Sequence, residues 1–228
     1  MYQFLLIDLD DTILDFHKAE RIALSKTLED FDIEPTEETC ALYSRINLEH
    51  WERLERKELT REQVLVGRFA TLFEAVGKTA DAALCARTYE KHLSQGHWFL
   101  PGALEALESL EKKYQLYLAS NGTARVQHGR LDSANIRHLF RGIFISQEMG
   151  ANKPDPAYFH SCFAKIPGFD PKKTMIIGDS LTSDILGGMQ AGITTCWINP
   201  QHKPTRNGIT PDYELESLSQ LEALLESL

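Results

Sequence analysis

Three carboxylates within four positions, Asp8, Asp10 and Asp11, come directly after the apolar run Phe4-Leu5-Leu6-Ile7 and precede Thr12. Such a run reads as a strand buried on both faces of a parallel sheet, and Asp8 then falls at its carboxyl end, where open α/β sheets place their ligands. Folding asks for no such crowding of acids; a bound cation or a proton in transit does. Three more polar segments succeed apolar runs in the same way: Ser120-Asn121-Gly122 after Leu116–Ala119, Lys153-Pro154 in the loop after Phe144-Ile145, and Gly178-Asp179 through Asp184 after Met175–Ile177. Singly, each has an ordinary explanation as a helix cap, a turn or an exposed loop. Four in order, all at one edge of one sheet, converge on a single crevice.

The elements that must carry these segments divide the chain in two. From about Phe16 to Gly96 only helical periodicity is present: one helix through Ala19, Ile22, Leu28 and Phe31, a second over about Glu37 to Arg56, a third opened by the capping box Thr60/Gln63 and closed by Gly77, and a fourth over about Thr79 to Gln95. After Pro101-Gly102 the pattern alternates. Helices are expected at about Ala103–Lys112, Arg125–Ala134, Asp155–Ala164, Leu181–Ala191 and Ser217–Leu228, and strands at Tyr114–Ala119, Gly142–Ile145, Thr174–Ile177 and Thr194–Ile198. Alternation of this kind implies parallel strands joined by right-handed crossovers. The fold class is therefore α/β, a doubly wound, Rossmann-like parallel sheet built from residues 1–14 and 99–228, with an all-helical insertion over 15–98. Gly187-Gly188 and Gly192 lie within and after a helix, so they read as close helix–sheet packing rather than a dinucleotide fingerprint.

Bulk properties narrow the function. The chain has 228 residues, 33 Asp plus Glu against 24 Lys plus Arg, and a formal charge of −9. That balance argues against a nucleic-acid polymer or an anionic membrane as partner, while leaving room for a small anionic substrate neutralised locally. Cys40, Cys85, Cys162 and Cys196 are widely spaced without a C-x-x-C pair, the eight histidines show no zinc spacing, and no signal peptide or membrane span is recognisable. A soluble cytoplasmic location is the expectation.

With these motifs the sequence resembles the haloacid dehalogenase (HAD) superfamily of aspartate-nucleophile phosphohydrolases. Asp8-Leu9-Asp10-Asp11-Thr12 matches the D-x-D-x-T motif, Ser120 the second-motif hydroxyl, Lys153 the third-motif lysine, and Gly178-Asp179-x-x-x-x-Asp184 the acidic fourth motif. The resemblance implies that the helical insertion is a cap and that Asp8 is the nucleophile forming an aspartyl-phosphate. Asp10 would be the acid that protonates the leaving oxygen and then the base that activates water. It further implies Mg²⁺ held by the Asp8 carboxylate, the Asp10 backbone carbonyl and Asp179, with Asp184 acting through water; such a site suits an ion that prefers oxygen ligands. Lys153 would offset negative charge and, with the Ser120 hydroxyl and the Asn121 backbone amide, hold the phosphoryl group. Thr12 would support the loop, and Asp11 would be a cap or turn residue.

Asp10 favours a phosphatase over a dehalogenase, whose branch of the family replaces this acid; a phosphomutase uses the same nucleophile. The segment from Asp184 to Gly192, with Thr195-Cys196-Trp197-Ile198-Asn199 beyond it, is similar to bacterial nucleoside 5′-monophosphate phosphatases, including pyrimidine 5′-nucleotidases that clear non-canonical nucleotides. A small phosphorylated metabolite is the expected partner, with sugar phosphates as the alternative substrate class. His50, Trp51, Arg53 and Trp98 are candidate nucleoside contacts, each with core packing or plain exposure as the competing role. The sequence is silent on oligomeric state.

Overall fold

The structure, a computed structural model, describes residues 1–206 and 208–228. The chain divides into two compact units, Met1–Phe16 with His97–Leu228, and His17–Gly96.

The first unit is built on six parallel strands: β1 (Phe4–Ile7), β2 (Gln115–Ser120), β3 (Gly142–Ile145), β4 (Thr174–Gly178), β5 (Thr194–Ile198) and β6 (Tyr213–Leu215), in the order β3-β2-β1-β4-β5-β6. β1 is central because all four of its residues can be buried: Leu5 and Ile7 join one hydrophobic layer with Leu107, Leu118, Leu131 and Leu221, while Phe4 and Leu6 join the opposite one with Tyr117, Phe159 and Ile176. That alternation is the two-residue strand period, and two covered faces explain an uninterrupted apolar run. Neighbours β2 and β4 lie on either side of β1, so the carboxyl ends of all three strands open at the reversal of strand order.

The second unit contains α1 (Phe16–Glu29, its first residue in the other unit), α2 (Glu37–Glu55), α3 (Arg61–Ala75) and α4 (Ala82–Leu93). Thr60 and Gln63 form the expected reciprocal cap, and Gly77 takes a φ of +66° beyond the end of α3. Its interior is less apolar than periodicity suggests. Glu20 is buried and accepts from Ser44 (2.6 Å) and Asn47 (2.7 Å), and Asn47 in turn accepts from buried Arg68 (2.8 Å). The Arg68 guanidinium lies 4.9 Å from the centre of the Tyr89 ring, within a cluster of Tyr43, Phe69 and Tyr89.

The remaining helices surround the sheet: α5 (Ala103–Leu110), α6 (Ala124–Ser133), α7 (Ser146–Met149), α8 (Pro156–Phe163), α9 (Leu186–Ala191) and α10 (Leu221–Glu226). Four features differ from expectation. The three-residue edge strand β6 and the one-turn helix α7 carried too little pattern to be read. The helix expected over Leu181–Ala191 begins instead as a π turn, Leu181–Ile185, in which the Ile185 N–H bonds the Ser180 carbonyl at 3.2 Å. Gly187 and Gly188 are packing glycines as expected, but Gly192 is not: it ends α9 in the left-handed region, with nothing near its missing Cβ. All four cysteines are free and buried, Cys40 and Cys85 in the helical unit, Cys162 and Cys196 in the other. No helix among the described residues is long and apolar enough to cross a membrane.

A methyl group at Gly188 would stand 2.5 Å from Ile176 and 2.7 Å from Thr195. Gly188→Ala should therefore destabilise the protein by about 1–3 kcal/mol through overpacking, measured by urea unfolding; an unchanged midpoint would contradict this packing.

Candidate active site

The four polar segments meet around one buried ammonium group. Lys153, only 1 % exposed, extends from the loop after β3 and donates its three hydrogens to Asp8 Oδ1 (2.7 Å), Asp184 Oδ1 (2.6 Å) and the Ala119 carbonyl of β2 (2.6 Å). Its inventory of donors is thereby full. A phosphoryl oxygen would have to take over one of these bonds, so its present contribution is positive charge. The Lys153 backbone is held as well: Asn121 donates from Nδ2 to its carbonyl (2.9 Å) and accepts its N–H at Oδ1 (2.8 Å).

Asp184 arrives here through the π turn, with its second oxygen accepting the Ser180 N–H at 3.1 Å. Gly178 is small for the same reason, since a Cβ would overlap that carboxylate. The Trp197 indole donates to the Asp179 carbonyl at 2.8 Å, so this buried aromatic also fixes the fourth segment.

Asp10 occupies different surroundings from Asp8. Gln127 Nε2 donates to its Oδ2 at 2.7 Å, and Arg130 Nη1 is ion-paired with its Oδ1. Gln127 Nε2 also reaches Ser120 Oγ at 2.7 Å. Neither Gln127 nor Arg130 was singled out from the sequence. The available signal was two polar residues three apart on the helix after Ser120-Asn121-Gly122, both in fact fully buried.

Asp11 is the turn residue expected: its backbone is left-handed (φ +52°) and its Oδ1 accepts the first N–H of α1 at 2.9 Å. Thr12 is buried, and the Ile13 and Leu14 N–H groups close the loop on the Leu9 carbonyl at 3.0 and 2.9 Å.

Carboxylate oxygens of Asp8, Asp179 and Asp184 lie within 4.8 Å of one another. Burial pushes the Asp8 carboxyl up to about 7; Asp184 and Asp10 add to this while Lys153 opposes it. Half-buried Asp179 is held well above the carboxylate range by desolvation, then by Asp8, Asp184 and Asp11. Burial works against the Lys153 ammonium, but Asp184 and Asp8 outweigh it and keep Lys153 above the usual lysine range. Three carboxylates thus face one ammonium, and fully ionised they would exceed it by two negative charges. An all-oxygen donor set with that excess fits a hard divalent cation.

Of the candidate nucleoside contacts, His50 is buried with Nδ1 on the Ile46 carbonyl (2.8 Å), Trp51 carries the Arg61 guanidinium 5.5 Å from its ring centre, and Arg53 pairs with Glu58 at 3.3 Å. Trp98 stacks on His97 with ring centres 5.6 Å apart, beside the pairing of Asp15 N–H with the Trp98 carbonyl (2.8 Å).

The doubly wound sheet thus carries D-x-D at the end of its central strand, a lysine bridging two aspartates, and a third aspartate beside them. The chain belongs to the haloacid dehalogenase-like hydrolase family, which it matches over residues 5–198. It is 41 % identical to the HAD-hydrolase YfnB of Bacillus subtilis over 98 % of this chain and 95 % of that one. It is 38 % identical to pyrimidine 5′-nucleotidase PynA of Streptococcus pneumoniae (96 % and 93 % covered) and 28 % identical to pyrimidine 5′-nucleotidase YjjG of Escherichia coli (98 % of each). The crystal structure of YfnB bound to magnesium, which reveals interdomain movement in that protein, superposes with a TM-score of 0.94 over 98 % of both chains.

The raised carboxyls set a pH dependence. Burial holds the Asp8 carboxyl up at about 7 in the folded chain, against an ordinary 3.8. Between those values the folded state binds the extra proton, so metal-free stability should fall as pH rises from about 4 to about 7, with Asp179 acting in the same sense. Cation binding needs the deprotonated forms. The rise in Tm on adding Mg²⁺ after EDTA treatment should therefore be larger at about pH 7.5 than at about pH 5. Equal shifts at both would contradict the placement of these charges.

Proposed function

We propose that this chain is a Mg²⁺-dependent phosphomonoester hydrolase working through an aspartyl-phosphate, with nucleoside 5′-monophosphates, pyrimidine or non-canonical, as its substrates. The observation that carries the proposal is the sorting of the D-x-D carboxylates: Asp8 lies buried against Lys153, whereas Asp10 is more exposed and held separately by Gln127 and Arg130. Acid–base and nucleophilic roles separate on such differences of environment.

In the first step an Asp8 oxygen attacks phosphorus, the bond to the ester oxygen breaks, and that oxygen leaves as an alcohol with a proton from Asp10. In the second, water attacks the phosphorus of the aspartyl-phosphate and gives a proton to Asp10, releasing inorganic phosphate and restoring Asp8. Lys153 offsets charge on the nucleophile, and the Ser120 hydroxyl and Asn121 N–H hold phosphoryl oxygens. Asp8, Asp179 and the Asp10 carbonyl would hold Mg²⁺, with Asp184 acting through water; when bound, the ion neutralises charge on the phosphoryl group.

The nucleotide assignment draws on likeness to PynA and YjjG along nearly the whole chain. The sequence-based division, with residues 1–14 and 99–228 as catalytic core and 15–98 as cap, belongs to this proposal, and substrate choice is assigned to the helical unit. A second reading, a phosphatase for sugar or other small-metabolite phosphates, draws on the mouse N-acylneuraminate-9-phosphatase, 33 % identical over 58 % of this chain.

Release of phosphate from p-nitrophenyl phosphate should be abolished by EDTA, and Asp8→Asn should lower kcat by at least ~10³-fold. Full activity in either case would refute the mechanism. Among nucleotides and sugar phosphates ranked by kcat/KM, pyrimidine 5′-monophosphates should lead; a preference for sugar phosphates would sink the nucleotidase reading.

A further inference from the structure

Gln127 joins two motifs that are otherwise separate. It sits on α6, 1 % exposed, and its single amide nitrogen lies 2.7 Å from both Asp10 Oδ2 and Ser120 Oγ. Asp10 Oδ2 and Ser120 Oγ both stand as acceptors here, and the two hydrogens of the amide nitrogen match them. Ser120 Oγ also accepts the Gly122 N–H at 3.1 Å. With both lone pairs engaged, Ser120 has only its hydrogen to offer a further partner, which makes it a donor to an anion. One turn along the same helix face, Arg130 holds the other Asp10 oxygen. The side chain has little room to leave: a Cβ at Gly122 would overlap Gln127 Nε2, Cδ and Cγ.

We propose that Gln127 is a positioning residue that locks the proton-carrying Asp10 and the phosphate-binding Ser120 into one unit, with Arg130 fixing the second Asp10 oxygen, so that phosphate placement and leaving-group protonation stay in register. This rests on the proposed hydrolase activity. Its consequence is selective. An alkoxide leaving group, such as a nucleoside 5′-oxygen, needs the Asp10 proton as its bond to phosphorus breaks, whereas p-nitrophenolate departs as a stable anion. Losing the Gln127 clamp should therefore harm alkyl esters far more than the aryl ester.

The test compares wild type with Gln127→Met, which keeps length and loses both hydrogens, on a nucleoside 5′-monophosphate and on p-nitrophenyl phosphate. General acid catalysis contributes roughly 10²–10⁴-fold, so kcat/KM on the nucleotide, which reports formation of the aspartyl-phosphate and not the later base step that both esters share, should fall ~10–100-fold further than kcat/KM on p-nitrophenyl phosphate. Gly122→Ala, which crowds Gln127 from outside, should give the same asymmetry in weaker form, and carries the comparison if Gln127→Met does not fold. Parallel losses on the two esters would reduce Gln127 to a structural residue and overturn the proposal; so would a gain in kcat/KM on the nucleotide, which would make the clamp a brake. Wild type inactive on both esters would instead sink the hydrolase reading, and this inference with it.

Discussion

A deeply buried lysine ammonium is the constraint on which the rest of the sheet-bearing unit depends. Burying an ion costs several kcal/mol even after relaxation, and the cost is offset only when partners are close and every donor is satisfied. Lys153 meets that condition by touching Asp8 just past β1, Ala119 near the end of β2 and Asp184 beyond β4, from a loop that itself leaves β3. Four strand ends are thus tied at one nitrogen. The requirement propagates outward: Gly178 is small so that Asp184 fits, the π turn swings Asp184 back to the sheet, and Trp197 anchors the Asp179 carbonyl beside it.

The same ends carry three carboxylates against one lysine ammonium. Arg130, the next buried cation, is committed to Asp10 instead. The carboxylates therefore divide into a group of three sharing one ammonium, poised for a divalent ion, and a single acid held in its own polar cradle. Two chemically identical side chains two residues apart thus meet different surroundings.

How much could be read beforehand depends on how local each signal is. β1 and its acids, the capping box at Thr60 and the alternation after Pro101 are written in consecutive residues, and the structure shows those elements where expected. Gln127 and Arg130 escaped notice because their meaning lies in partners 117 and 120 positions away. Buried Glu20, Asn47 and Arg68 escaped for the same reason: a polar or charged residue on a helix reads as surface until its distant partner is known. The π turn differs again, since two consecutive i→i+5 bonds leave no trace in hydrophobic periodicity.

The four buried cysteines have a practical consequence. Desolvation pushes the thiols of Cys85, Cys162 and Cys196 up to about 12 and raises that of Cys40, so almost none exists as the nucleophilic thiolate at neutral pH. In the folded chain they are inert to alkylation and to oxidants by the same shielding. Any thiol that does react has first been uncovered by an opening of the structure, and the cysteines fall two to a unit. Their labelling rates are therefore a built-in clock for local unfolding, read separately for the helical insertion and for the sheet that bears the aspartates.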